Sequence, residues 1–186
     1  MSQQPITPYD QLGSMAQVNG IGLHYVLEGE PSKPVLVLIN MASHNLTCWE
    51  IVLQPLLECY QVLRFDLRGT GKSGWGDEEQ FTFAQYADDL AGLLQHLRIR
   101  NAFVLGVAYG ARTAAQFALR HPNQLSGLAM FDVALTRMTV EEVAALTDVG
   151  FLLDRSAYDH ELSDGLCGML AKRFDLFITL QLILRD

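Results

Sequence analysis

Cysteine is scarce in this chain. Cys48, Cys59 and Cys167 are the only three in 186 residues, widely spaced and without a C-x-x-C pair, which excludes a disulfide framework and a cysteine zinc site. No metal site is expected, and the thiols read as small core or near-surface residues. Basic clusters are missing too. The 13 Lys and Arg stand against 21 Asp and Glu, a net charge of -8, and nowhere do they gather as binding to a phosphate backbone requires. Nucleic acid is therefore excluded as a partner. No uninterrupted apolar run is long enough to cross a bilayer. The first residues are largely polar and lack the charged-then-apolar order of a signal peptide. No membrane partner and a cytoplasmic location are expected. Internal repeats and low-complexity linkers are also absent.

What the chain does have is the makeup of a globular domain, with 49% hydrophobic and 18% charged residues, enough apolar content for a substantial core. Residues 15–18 and 21–27 read as two short strands joined at Asn19-Gly20, a hairpin signal. Residues 35–40, entered through Pro34, form the continuous apolar run of a strand buried on both faces. A short helix over 49–57 and a buried strand over 61–66 follow. Thr82 opens the clearest helix: with Gln85 it makes a capping-box pattern, and Tyr86, Leu90, Leu93, Leu94 and Leu97 then recur on one face. Residues 102–105 read as a strand, 113–119 as a helix stopped by His121-Pro122, and 125–131 as a sixth strand. This alternation implies right-handed crossovers and a doubly wound, mostly parallel sheet of the α/β class. From Thr136 the pattern changes. Residues 140–146 and 162–184 look helical, with periodicity leaving 174–184 open to a strand.

Two glycine-rich segments carry the candidate chemistry. Gly69-Thr70-Gly71-Lys72-Ser73-Gly74 invites phosphate-binding readings. A Walker loop needs a glycine five positions before Gly71, where Asp66 stands. As G-x-G-x-x-G the spacing matches a dinucleotide fingerprint, but no helix opens at its last glycine. No cofactor is expected. The second segment, Gly106-Val107-Ala108-Tyr109-Gly110, has the frame of a G-x-S-x-G elbow, the sharp strand-to-helix turn that holds a nucleophile above a sheet. Alanine stands where the serine belongs, and its methyl group cannot attack a carbonyl.

Asp66-Leu67-Arg68-Gly69-Thr70-Gly71-Lys72-Ser73 resembles the D-x-R-G-x-G-x-S loop after the fourth strand of the α/β-hydrolase superfamily. Gly106 to Gly110 lies where that family places its elbow. Asn40-Met41-Ala42-Ser43 up to Trp49 resembles its oxyanion loop, with asparagine and methionine in place of the usual histidine-glycine pair, as in the 3-oxoadipate enol-lactonase branch. The matches run in order over residues 17–132. The resemblance implies an α/β-hydrolase fold and an ancestral hydrolysis of a small ester or enol-lactone through a serine acyl-enzyme at position 108. It also implies an oxyanion hole from the backbone N–H groups of Ala42 and Tyr109, although the same amides equally suit ordinary turn hydrogen bonds. Asp132 stands where some haloalkane dehalogenases keep the triad acid; alternatively it caps its own loop.

The family's catalytic histidine follows the last strand, and no counterpart is evident here. His24, His96 and His121 read as structural or solvated; His44 and His160 are the two placed to approach the elbow. Ser43 and Ser73, on loops at the ends of strands, read as loop serines. A six-strand core over 1–135 and part of a helical cap over 136–186 are expected, the sheet stopping at its sixth strand. Three accounts remain open: a fragment of a longer active hydrolase, a non-catalytic pseudo-hydrolase binding a small ester, lactone or carboxylate, and a serine-to-alanine variant made to trap substrate. An unpaired edge at 125–131 would favour self-association.

Overall fold

The computed structural model describes residues 8–131 and 151–154. The chain opens with a hairpin, β1 (Ser14–Val18) and β2 (Ile21–Glu28), paired with Val18 opposite Ile21. Asn19 and Gly20 in the turn both have positive φ, 47° and 80°, the backbone of the two-residue turn whose twist matches antiparallel strands. β2 pairs antiparallel with β4 (Gln61–Phe65), and from there the sheet is parallel: β3 (Val35–Ile39), β5 (Ala102–Val107), β6 (Leu125–Phe131) and β7 (Phe151–Asp154), in the order β1-β2-β4-β3-β5-β6-β7.

The continuous apolar run of β3 is explained by what covers it. Leu36 and Leu38 face one layer, with Trp49, Leu53 and Leu56 of the α1 region (Glu50–Leu57). Val37 and Ile39 face the other, with α2 (Phe83–His96) and α3 (Tyr109–Arg120). Successive strand side chains point to opposite faces, so a strand with helices on both sides shows no polar alternation. This is the doubly wound arrangement expected from the alternation of elements.

Thr82 caps α2, accepting from the Gln85 N–H at 3.1 Å. Only half of the expected capping box forms, because the Gln85 side chain turns instead to Asp89 at 3.0 Å. α3 begins at Tyr109, four residues before the expected 113. Its buried residues include Gly110, Ala111, Ala114, Ala115 and Ala118, and Gly110, a poor helix former, stands in the first turn, so propensity places the start too late.

One expectation is corrected at the sheet's far side. β6 is not an edge: Leu128, Ala129, Met130 and Phe131 pair in parallel with β7, so the unpaired row expected along 125–131 is covered over this stretch. β7 lies within the residues assigned to the cap. A run of four residues, Phe151 to Asp154, is too short for periodicity to separate strand from helix. The expected cap helices at 140–146 and 162–184 lie outside the described residues, as do Asp132, His160 and Cys167. Among the described residues no helix is long and apolar enough to cross a membrane.

Candidate functional site

The elbow has the geometry its glycines imply. β5 runs into Ala108, which stands at φ 52°, ψ -109°, and α3 starts at the next residue. Positive φ at a residue with a Cβ is a strained conformation costing on the order of 1–3 kcal/mol. A Cβ on Gly106 would run into the Gly110 carbonyl, and one on Gly110 into the carbonyls of Ile39 and Asn40. The turn is therefore as tight as the motif demands, packed against the end of β3. The Ala108 N–H is tied to the Phe131 carbonyl at 2.9 Å, while the Tyr109 N–H finds no hydrogen-bond partner among the described residues.

Beside the elbow, the loop after β3 is held by Asn40, fully buried. Its amide nitrogen donates to the Phe65 carbonyl at 2.9 Å and its oxygen accepts the Trp49 indole N–H at 2.8 Å. An amide offers a donor and an acceptor at once, which is why asparagine serves here and why the tryptophan falls nine residues on. Ala42 follows in this loop, and Ser43 stands at φ 61°.

The loop after β4 is a closed network. The buried Asp66 accepts from the Tyr9 hydroxyl, from the Leu46 N–H at 2.8 Å and from the Lys72 N–H at 3.0 Å, and faces His24 Nδ1 at 2.7 Å. Burial, with the Asp66 bond, holds the Tyr9 phenol well above the usual tyrosine range. Arg68, 1% exposed, grips both carboxylate oxygens of Asp89 at 2.9 Å. Ser73 donates to the Asp66 carbonyl at 2.7 Å and accepts the His24 N–H at 2.9 Å. Both its roles are structural, so Ser73 is the loop serine the sequence suggested.

A cavity of about 240 Å³ lies where these segments meet, smaller than the roughly 300–1,000 Å³ of drug-sized ligand sites. Met41, Ala42 and Ser43 form one side, and Leu67, Arg68, Gly69 and Thr70 another. Phe81, Tyr86 and Tyr109 supply an aromatic wall. The structure thus brings Ala42 and Tyr109, both singled out in the sequence, to one cavity. Burial, with a hydrogen bond from Tyr109, raises Tyr86 well above the usual tyrosine range. Tyr86 reads in sequence only as an apolar-face residue of α2; its polar tip on that face was the available signal.

None of the described histidines lines this cavity. His44 is exposed and its Nδ1 turns back to the Ala42 carbonyl at 2.8 Å. His24 is buried, with Nε2 on the Leu12 carbonyl at 2.6 Å. His96 packs edge-on to Tyr25, and His121 meets Asp88 at 2.7 Å. Among the described residues no group of His, Cys, Asp or Glu is arranged to hold a metal ion.

A sequence profile of the alpha/beta hydrolase fold matches residues 34–155. Fluoroacetate dehalogenase from Burkholderia sp is 32% identical over 133 residues, covering 69% of this chain and 43% of that protein. 3-Oxoadipate enol-lactonase 2 from Acinetobacter baylyi is 26% identical over 114 residues, 61% of this chain and 42% of that protein. The chain spans about two fifths of the length of these curated relatives. The crystal structure of the enol-lactonase from Burkholderia xenovorans LB400 superposes with a TM-score of 0.63 at 26% identity, covering 89% of this chain and 67% of that one. With profile, strand order and elbow in agreement, the chain belongs to the alpha/beta hydrolase fold family.

Proposed function

We propose that this chain binds a small acyl compound, an ester, lactone or carboxylate, in the cavity beside the elbow and does not turn it over through a serine acyl-enzyme. The observation that carries this is Ala108, seated at φ 52° in a turn built to present a nucleophile. Losing the serine of such a site costs on the order of a millionfold in turnover, leaving only what oxyanion donors and binding supply. That holds whichever residues elsewhere act as acid or base. Binding is a different matter, because the Ala42 and Tyr109 N–H groups are main chain and independent of the side chain at 108. The relatives' names point to compounds of this size: fluoroacetate and an enol-lactone. On the same reading the protein works in the cytoplasm.

The test is hydrolysis of 4-nitrophenyl acetate by purified protein, with the expected rate equal to that of buffer. Enzyme-dependent turnover abolished by Ser43→Ala would overturn the reading and make Ser43 the nucleophile. Ala108→Ser is expected to stay far below an ordinary esterase, since a serine without a positioned base is a weak nucleophile. Turnover comparable to such an enzyme would reveal a base already aimed at position 108.

A further inference from the structure

The cavity wall carries a side-chain donor that main-chain binding leaves unused. Tyr109 donates its O–H to the Tyr86 hydroxyl oxygen across 3.3 Å. A phenol oxygen that accepts keeps its own proton to give, and the Tyr86 hydroxyl has no other hydrogen-bond partner among the described residues. Tyr86 is only 4% exposed while lining the cavity, so bulk water is a poor partner for that proton. Accepting from Tyr109 polarises Tyr86 and makes it a better donor. Phe83 packs behind the pair, its ring 4.6 Å from that of Tyr109 and 6.3 Å from that of Tyr86, so the two phenols are held in place.

Charge supplies an independent observation. Among the described residues that line the cavity, Arg68 is the one with a formal charge, and that charge is spent. Besides its double grip on Asp89, its Nη1 donates to Gln80 at 2.6 Å and its Nη2 to the Asn19 carbonyl at 3.3 Å. Arg112 is outside the lining, its guanidinium 4.3 Å over the Phe83 ring. A carboxylate entering this space exchanges part of its hydration for neutral donors with no free counter-charge, which costs free energy. A neutral carbonyl meets the same donors without that penalty.

We propose that the Tyr86–Tyr109 hydroxyl pair and this charge-neutral wall make the cavity select an uncharged carbonyl ligand with a flat apolar body, an aryl ester or lactone, over a free carboxylate. Main-chain N–H groups take the carbonyl oxygen, the Tyr86 hydroxyl takes a second oxygen, and the ring lies against the aromatic wall. This rests on the reading that the cavity binds a small acyl compound, and it chooses among the ligand classes that reading allows.

Phenyl acetate and phenylacetate ion test it, since they have the same number of non-hydrogen atoms and differ in charge. Calorimetry at neutral pH is expected to give phenyl acetate the tighter binding by about tenfold or more. Tyr86→Phe is expected to weaken phenyl acetate about three- to tenfold, the loss of one hydrogen bond, and to weaken the poorly seated phenylacetate less, so that the selectivity narrows. If Tyr86→Phe does not fold, Tyr109→Phe, which removes the bond polarising Tyr86, is expected to act in the same direction. Equal or tighter binding of phenylacetate, or unchanged selectivity in the folded variant, overturns the selectivity while ligand binding stands. Failure of both compounds to bind overturns both.

Discussion

Two neighbouring loops at the same end of the sheet use their polar groups in opposite ways. In the loop after β4, Asp66, Arg68 and Ser73 bond almost entirely to other parts of the protein, from Tyr9 to Asp89. At the elbow and the loop after β3, Tyr109 and Ala42 line a cavity, and their N–H groups make no bond to a described residue. The first loop carries the more conspicuous residues, yet its hydrogen-bonding capacity is used up in holding the chain together. The second keeps donors unspent at the cost of a strained backbone at Ala108. Motif chemistry is available to a ligand only where it is not already consumed by the fold.

The comparison breaks most visibly at Arg68. Replacing it by methionine keeps an apolar stem but leaves the carboxylate of Asp89, 1% exposed, with only the Asn19 and Gln85 side-chain amides. Removing one partner of a buried pair costs about 3–5 kcal/mol, so urea unfolding of Arg68→Met is expected to show a loss of that size. A loss under about 1 kcal/mol, the scale of a surface pair, would mean the loop is not braced by this bond.

The two loop serines sharpen the contrast. Ser73→Ala strips the His24 N–H of its acceptor inside the structure, and an orphaned buried group costs about 1–3 kcal/mol. Ser43→Ala, on an exposed position, is expected to stay within about 0.5 kcal/mol. Equal effects in parallel melts would erase the distinction between a consumed loop and an open one.

How much of this was legible in the sequence follows from distance along the chain. The Asn40 and Trp49 spacing, the elbow glycines and the loop after β4 are local patterns, and their geometry is as the spacing implied. The Arg68–Asp89 pair was not legible, because 21 residues and an intervening loop separate the partners and only the crossover brings them together. Tyr86 looks like any aromatic on an apolar helix face until Tyr109 arrives beside it. β7 was invisible for a third reason, since four residues carry no period.

Strain at the elbow predicts a smaller effect of opposite sign. Glycine tolerates φ 52° where alanine does not, although it adds freedom to the unfolded chain. The difference leaves Ala108→Gly more stable by about 0.5–1 kcal/mol, measurable by chemical denaturation. A loss of stability of that size would show that the turn relieves its own strain.

The smallest effect belongs to a brace outside both loops. Asp88 on α2 takes Arg120 through Nε at 3.0 Å and Nη2 at 2.7 Å, and His121 through Nε2 at 2.7 Å, at the end of α3. The Arg120 hydrogen bonds, reinforced by that to His121, hold the Asp88 carboxyl below its usual 3.8. A carboxyl depressed on folding adds stability above its unfolded value and loses that contribution as pH falls through the lower, folded value. With Arg120 44% exposed, solvent and salt screen the pair, and its worth is about 0.5 kcal/mol or less. Asp88→Asn is therefore expected to lower stability slightly at pH 6, and less still in high salt. The gap from the native protein should close as pH drops below the ordinary carboxylate range. A gap that instead widened on acidification would mean that Asp88 is stabilised by its protonated form, and the helix-end brace would be an uncharged contact.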